Sequence, residues 1–233
     1  MNYQFAGLTV DMEPMLEMLR SRSKKYLADN SLPADIKIRI PEKVFADFCE
    51  ENPQLTPEEC EYLMTGSVFY HHLVDHGGIM LHASAVAYKG EAYLFSADSG
   101  TGKSTHTSLW LKEFGADAVI INDDKPALRI IDGEIMCCGT PFSGKHDISE
   151  NRLYPVKGIA FIERAEKNSI SAIPPYTSLP LIMQQTVHNF SEKRGERFLA
   201  LLSDILTRVP VYSLKCNMDP EAAHVSLNGM NMG

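Results

Sequence analysis

Apolar and polar residues change their period part-way along this chain. The early stretch is mixed. Tyr3–Val10 reads as a short strand, and Met12–Asp29 carries its apolar residues at helical spacing. Ile36, Ile38 and Ile40 alternate with Lys37 and Arg39, the period of a half-buried strand that Pro41 closes. Thr56-Pro57-Glu58-Glu59 predicts a helix start. Thr56 caps, Pro57 takes the first helical position and Glu59 reaches back to the cap. That helix runs to about Val74, and Gly77-Gly78 breaks it.

From residue 79 short apolar runs take over. Ile79–Val86 and Glu91–Ser96, joined by Tyr88-Lys89-Gly90, predict a hairpin of buried strands. A loop of glycine and hydroxyl residues follows, then a helix over Lys103–Phe114. Ala118–Asn122 is a strand that ends in carboxylates. Ala127–Ile131 and Glu134–Cys138 form a second hairpin about Asp132-Gly133. Gly158–Glu163 and Val211–Lys215 read as strands, and Leu179–Val187 and Lys193–Arg208 as helices. Asp219–Ser226 reads as a closing helix and Asn228–Gly233 as a frayed tail. Strands alternating with helices, with hairpins among them, predict an α/β domain built on a mixed sheet. The change of texture divides the chain into an α+β segment over 1–75 and a main domain over 76–233. The first segment, packed on the second, is expected to act as a lid or a substrate-recognition element.

Composition narrows the partners. The chain has 233 residues and a net charge of -8. Its acidity, with no basic stripe to offset it, argues against nucleic acid. The cluster Arg20-Ser21-Arg22-Ser23-Lys24-Lys25 reads as a solvated helix face. No apolar run reaches the roughly 18 residues of a membrane span, so no membrane partner is expected. The first residues lack the charged start and apolar run of a signal peptide. The five cysteines are scattered, without a CxxC pair, which fits a reducing compartment and a cytoplasmic location.

Candidate chemistry begins at Ala97-Asp98-Ser99-Gly100-Thr101-Gly102-Lys103-Ser104-Thr105. This is the Walker A pattern G-x-x-x-x-G-K-[ST], with Ala97 where its first glycine belongs. Triphosphate oxygens need many donors at close range. Gly100 and Gly102 let successive backbone N–H groups point inward, and the helix that follows presents its positive end. Lys103 supplies a mobile charge for the outer phosphates, and Ser104 a hydroxyl for Mg²⁺. Asp98, Ser99, Thr101 and Thr105 complete the expected contacts. The bland alternative is a Gly-Ser turn before an ordinary helix.

Asn122-Asp123-Asp124 follows the apolar strand Ala118–Ile121. A nucleotide site needs its second Mg²⁺ contact at such a place, and a base for an incoming hydroxyl. Asn-Asp-Asp also favours turns on its own account.

With these residues in view, the chain resembles the catalytic domain of HPr kinase/phosphorylase. The resemblance rests on Leu81-His82-Ala83-Ser84-Ala85-Val86, on the loop Ser99–Ser104 and on Asn122-Asp123-Asp124, in that order and at similar spacing. It covers roughly residues 79–165. It implies the mixed-sheet P-loop fold that this family shares with phosphoenolpyruvate carboxykinase. It also implies ATP and Mg²⁺, and phosphoryl transfer to a hydroxyl of a small molecule or peptide. By resemblance Lys103 takes the phosphate, Ser104 and Asp124 the metal, Asp123 the acceptor's proton, and His82 a place near the transferred phosphate. A protein serine kinase/phosphorylase of the HPr type is the first alternative, and a nucleotide-binding regulator without catalysis the second. A homo-oligomer is compatible with any of them.

Secondary candidates surround these. Gly139–Lys145 is a second loop of small residues that brings Lys145 toward an acidic substrate or the transferred phosphate. Glu150, Asn151 and Arg152 follow it, and His106 lies early in the loop helix. His72 and His76 are four apart, with His71, Asp75 and His82 nearby, which keeps a metal-dependent hydrolase in view.

Overall fold

The computed structural model describes residues 1–232 and holds two sheets, one of three strands and one of nine. The smaller sheet comprises β1 (Asn2–Phe5), β2 (Leu8–Asp11) and β3 (Ile36–Lys37). The single strand expected over Tyr3–Val10 is thus a hairpin. It turns at Ala6-Gly7, both at positive φ, and Ala6 gives no sequence signal for such a turn. β3 lies parallel to β2.

The long helix expected over Met12–Asp29 is only α1 (Glu17–Ser23), with one 3₁₀ turn over Lys24–Tyr26. Pro14 precedes it. The buried Glu61 carboxylate accepts from the backbone N–H groups of Met15 and Leu16, which fixes the approach to the helix. α2 (Glu42–Glu51) buries none of its residues fully. α3 (Pro57–Leu73) starts on the capping box the sequence indicates. Thr56 Oγ1 accepts from Glu59 N at 3.2 Å, and Glu59 Oε2 accepts from Thr56 N at 2.8 Å. Phe5, Phe69 and Tyr70 pack on Met80, Ala127 and Phe142, so the first 75 residues share a core with the larger sheet.

That sheet is made of β4 (Gly78–Met80), β5 (Ala83–Tyr88), β6 (Glu91–Ser96), β7 (Ala118–Asn122), β8 (Ala127–Ile131), β9 (Glu134–Cys138), β10 (Leu153–Arg164), β11 (Ser169–Ile173) and β12 (Val211–Cys216). It is mixed. β5 pairs antiparallel with β6 and β7, whereas β10 lies parallel to both β6 and β12. β10 is longer than the strand expected over Gly158–Glu163, because its first residues also pair with β9. The single strand expected over Ile79–Val86 is two. β4 pairs with β8, β5 pairs with β6 and β7, and Leu81-His82 crosses between them.

Helices cover both faces. α4 (Lys103–Phe114) and α7 (Glu221–Asn231) pack Leu109, Trp110, Ala222 and Met230 against Tyr93, Phe95, Ala160 and Leu214. α5 (Pro175–Gln184) and α6 (Glu192–Arg208) pack Ile182, Phe198, Leu202 and Ile205 against the opposite face, on Leu94, Ile159 and Val211. Period-2 alternation along β6, β10 and β12 thus serves two cores. α7 runs to Asn231, so the frayed tail expected over Asn228–Gly233 is helical for most of its length, while Gly233 lies outside the described residues. Among the described residues no helix is long and apolar enough to cross a membrane.

Candidate functional site

β6 runs straight into the loop, and α4 begins at Lys103. Gly100 has φ 78° and Gly102 φ 128°, a region L side chains rarely adopt. Ala97 is not among the positive-φ residues, so a Cβ is tolerated there, and it is buried in the core behind the loop. This accounts for the missing first glycine. Lys103 is 8% exposed, and its Nζ donates to Ala97 O at 2.9 Å. Burial pushes the Lys103 ammonium down from its ordinary pKa, against the opposing pull of Asp124, Asp123 and Asp98.

The aspartates stand on a built turn. The buried Asn122 side chain donates to Thr140 O at 3.1 Å and accepts from Asp124 N at 3.0 Å and Lys125 N at 2.8 Å. Asn122-Asp123-Asp124 is therefore a turn and a presentation of carboxylates at once. Asp123 Oδ1 accepts from Ser84 Oγ at 2.6 Å, and Ser84 Oγ lies 2.8 Å from Thr107 Oγ1 on α4. Asp124 is held by Lys125 Nζ on one oxygen, with His82 Nε2 3.4 Å from the other. Burial alone would raise the Asp124 carboxyl. The hydrogen bonds and charges of His82 and Lys125 outweigh it and bring the pKa to about 2.

His82, Lys103, Ser104, Asp123, Asp124 and Lys145 line one cavity of about 470 Å³. Ser99, Gly100, Gly102 and Thr105 border it too, whereas Asp98 and Thr101 do not. Asp98 instead accepts from Gln185 Nε2 at 3.1 Å. Gly144, at φ 75°, lies so close to the site that a Cβ there would sit 2.8 Å from Asp124 Cβ. Lys145 is exposed at the lip beside His146. Glu150 accepts from the Tyr154 hydroxyl at 3.2 Å and lies 4.0 Å from Arg152, and Glu150, Asn151 and Arg152 stay outside the cavity.

Four participants escaped the sequence reading. Lys125 adjoins the aspartates and could have been found there. Ser84 lies inside the strand run. Arg164, at the end of β10, donates to the carbonyls of Gly100 and Thr101. Gln185 carries no local signal. Its side chain bridges Asp98 and His82, with Oε1 2.9 Å from His82 Nδ1. The histidines of the hydrolase alternative do not converge. Asp75 is paired with Arg194 and Arg197, each at 2.7 Å, and His82 faces Asp124.

His106 faces neither nucleotide phosphate nor solvent. It is 2% exposed, with Ser226 Oγ 3.0 Å and Trp110 Nε1 3.3 Å from its Nε2. Burial lowers its pKa from 6.5 to about 4. The folded protein thus binds fewer protons than the unfolded chain across that window. Its stability contribution is complete above pH 6.5 and is lost as pH falls toward 4. The expected loss is roughly 3 kcal/mol. Urea unfolding at both pH values checks it: His106→Asn, unable to take the proton, should lose that much less than wild type. Equal losses would clear His106 of the effect.

No family model matches the chain, and no curated protein matches it. A solved structure similar to it is the HPr(Ser) kinase/phosphatase from Coxiella burnetii, matched over 66% of this chain and 90% of that one, at 11% identity and a TM-score of 0.39. At that similarity the neighbour carries no function over to this chain.

Proposed function

We propose that this protein is a Mg²⁺-dependent kinase that moves the γ-phosphoryl group of ATP to a hydroxyl of a small molecule or peptide. The observation that supports it is the convergence of Lys103, Ser104, Asp123 and Asp124 on one cavity, at the start of a helix and beneath a glycine-shaped loop. Ser104 and Asp124, which line the same cavity, would hold Mg²⁺, and it would supply positive charge beside the phosphates.

The chain's own groups divide the remaining work. Backbone N–H groups of the loop and of the first turn of α4 cradle the phosphates. Lys103 leaves Ala97 O for an outer phosphate oxygen. Asp123 keeps one oxygen on Ser84 and uses the other to take the proton of the acceptor hydroxyl. The acceptor oxygen then forms its bond to the γ-phosphorus as the bond to ADP breaks. Asp124, paired with Lys125 and ionised far below neutral pH, suits a fixed charge rather than a proton acceptor. Lys145 at the lip favours an acceptor with negative charge.

The test is ADP formation by purified protein with MgATP, in the presence of sugars, polyols and serine or threonine peptides. Acceptor-dependent ADP release that stops on chelation of Mg²⁺ is expected. Tight ATP binding with no transfer to any acceptor or to water would remove the kinase reading and favour the regulator.

A further inference from the structure

His82 stands in the wall of the cavity, and its ring is held from behind by Gln185, a residue at the end of α5 that does not line the cavity itself. We propose that Gln185 is a positioning residue for phosphoryl transfer. It keeps a hydrogen on His82 Nδ1, leaves Nε2 as the nitrogen presented to the cavity, and ties the ring to the phosphate loop through Asp98. The proposal rests on the kinase reading above and adds to it a residue outside every motif.

Gln185 is itself anchored. Its N donates to Ile182 O at 3.0 Å, and Ile182 is wholly buried. The next residue, Thr186, is also buried, and its Oγ1 donates to Met80 O on β4 at 2.5 Å. Between these two attachments Gln185 O accepts from His82 N at 2.7 Å. Ser96 Oγ, at the end of β6, donates to His82 O at 2.9 Å. The backbone of the Leu81-His82 crossover is therefore fixed on both sides of His82. Only the torsions of the His82 side chain remain free, and the Gln185 amide restrains them from one edge of the ring.

That amide can serve in one orientation only. Its two ends lie 3.1 Å from Asp98 Oδ1 and 2.9 Å from His82 Nδ1. A carboxylate has no hydrogen to give, so the amide nitrogen must face Asp98. The amide oxygen then faces His82, and an amide oxygen only accepts. His82 Nδ1 must therefore carry a hydrogen. Nε2, 3.4 Å from Asp124 Oδ1, is the nitrogen left for the cavity.

The two ring nitrogens of a histidine are distinct once one of them is committed, and the committed one decides what the other can do. With Nδ1 held, a half-turn of the ring would break its bond to Gln185, so Nε2 stays beside Asp124 as phosphate and acceptor enter. The same amide reaches Asp98, which precedes Ser99 and Gly100 in the phosphate loop, so one side chain sets the ring against the loop. Gln185 acts on the reacting groups only through His82. Its loss should therefore fall on the rate of transfer more than on the binding of ATP.

Two variants of the full chain test this. Gln185→Met keeps the length of the side chain and loses both bonds, at a half-buried position with room for methionine. Gln185→Glu keeps an oxygen for His82 Nδ1–H and loses the donor to Asp98. Nuclear magnetic resonance of the protein with nitrogen-labelled histidines, the His82 signals located by their absence from His82→Asn, reads which ring nitrogen bears hydrogen. In wild type and in Gln185→Glu, Nδ1 should bear it. In Gln185→Met it should pass to Nε2, drawn by Asp124. With MgATP and an acceptor from the screen above, Gln185→Met should lose roughly ten- to a hundredfold in kcat, the usual cost of removing a partner that orients a histidine, with the KM for ATP little changed. Gln185→Glu should recover most of that loss. Wild type without hydrogen on Nδ1 would overturn the assigned orientation of the amide. Equal losses of kcat in both variants would place the effect in the tie to Asp98 and overturn the part given to His82. Gln185→Met with wild-type kcat would overturn the positioning role while sparing the kinase reading. Wild type that transfers to no acceptor would overturn the kinase reading and the role of Gln185 with it.

Discussion

Replacing Lys103 with alanine is expected to abolish the Mg²⁺-dependent stabilisation of this protein by ATP. Lys103 is nearly buried, and its ammonium sits among Asp98, Asp123 and Asp124 with one hydrogen bond, to Ala97 O. That bond is to a neutral carbonyl and is readily exchanged for a phosphate oxygen. A hydrogen bond between charged groups contributes about 1.5–3 kcal/mol, so its loss alone weakens ATP by roughly ten- to a hundredfold. The long-range attraction of the lysine for the remaining phosphate charge is lost as well. At ATP a hundredfold above its Kd the wild type should gain about 2.7 kcal/mol, and the variant little of it. The informative quantity is the shift produced by ATP rather than the melting temperature of the free protein. In the free protein the substitution removes a desolvated cation, and it also leaves three carboxylates without it. A variant that keeps its ATP-induced shift would take Lys103 out of the phosphate site and reduce the loop to a turn before a helix.

What could be read from the sequence was local. The helix over Lys103–Phe114, the strand Ala118–Asn122 and the hairpin of β8 and β9 stand where the residues place them, because glycines, turn residues and apolar runs mark their ends. The capping box of α3 is equally local. The misreadings have distant causes. Ile79–Val86 reads as one mostly apolar run, and only the pairing of its halves with different strands shows that it crosses at His82. Met12–Asp29 shortens because Glu61 intervenes from another helix. α2 and β11 went unread because neither buries a full apolar face. The candidate site divides the same way. Lys103, Ser104, Asp123 and Asp124 announce themselves by motif. Gln185, which ties His82 to Asp98, belongs to the site only through folding.

Asp123→Asn is expected to leave ATP binding intact and to lower the rate of transfer by about 10²- to 10⁴-fold, the usual contribution of a general base. An amide oxygen can still accept from Ser84 Oγ, so the Ser84–Thr107 link to α4 survives the change. Loss of the negative charge near the phosphates should, if anything, tighten ATP. Asp124→Asn makes the contrast. Its carboxyl, brought to about 2 by His82 and Lys125, holds a proton too weakly to draw one from an alcohol. The amide would leave Lys125 without its partner and remove a Mg²⁺ contact. The effect should therefore fall on the Mg²⁺ concentration needed for half-maximal rate more than on the rate at saturation. Steady-state kinetics across a Mg²⁺ series separates the two. Turnover of Asp123→Asn close to wild type would remove it as the base. If Asp124→Asn alone lost transfer with unchanged Mg²⁺ demand, the two carboxylates would exchange roles. In that case Lys125 would be the group that releases Asp124 for the proton, and the short turn on Asn122 would still present both acids to the acceptor.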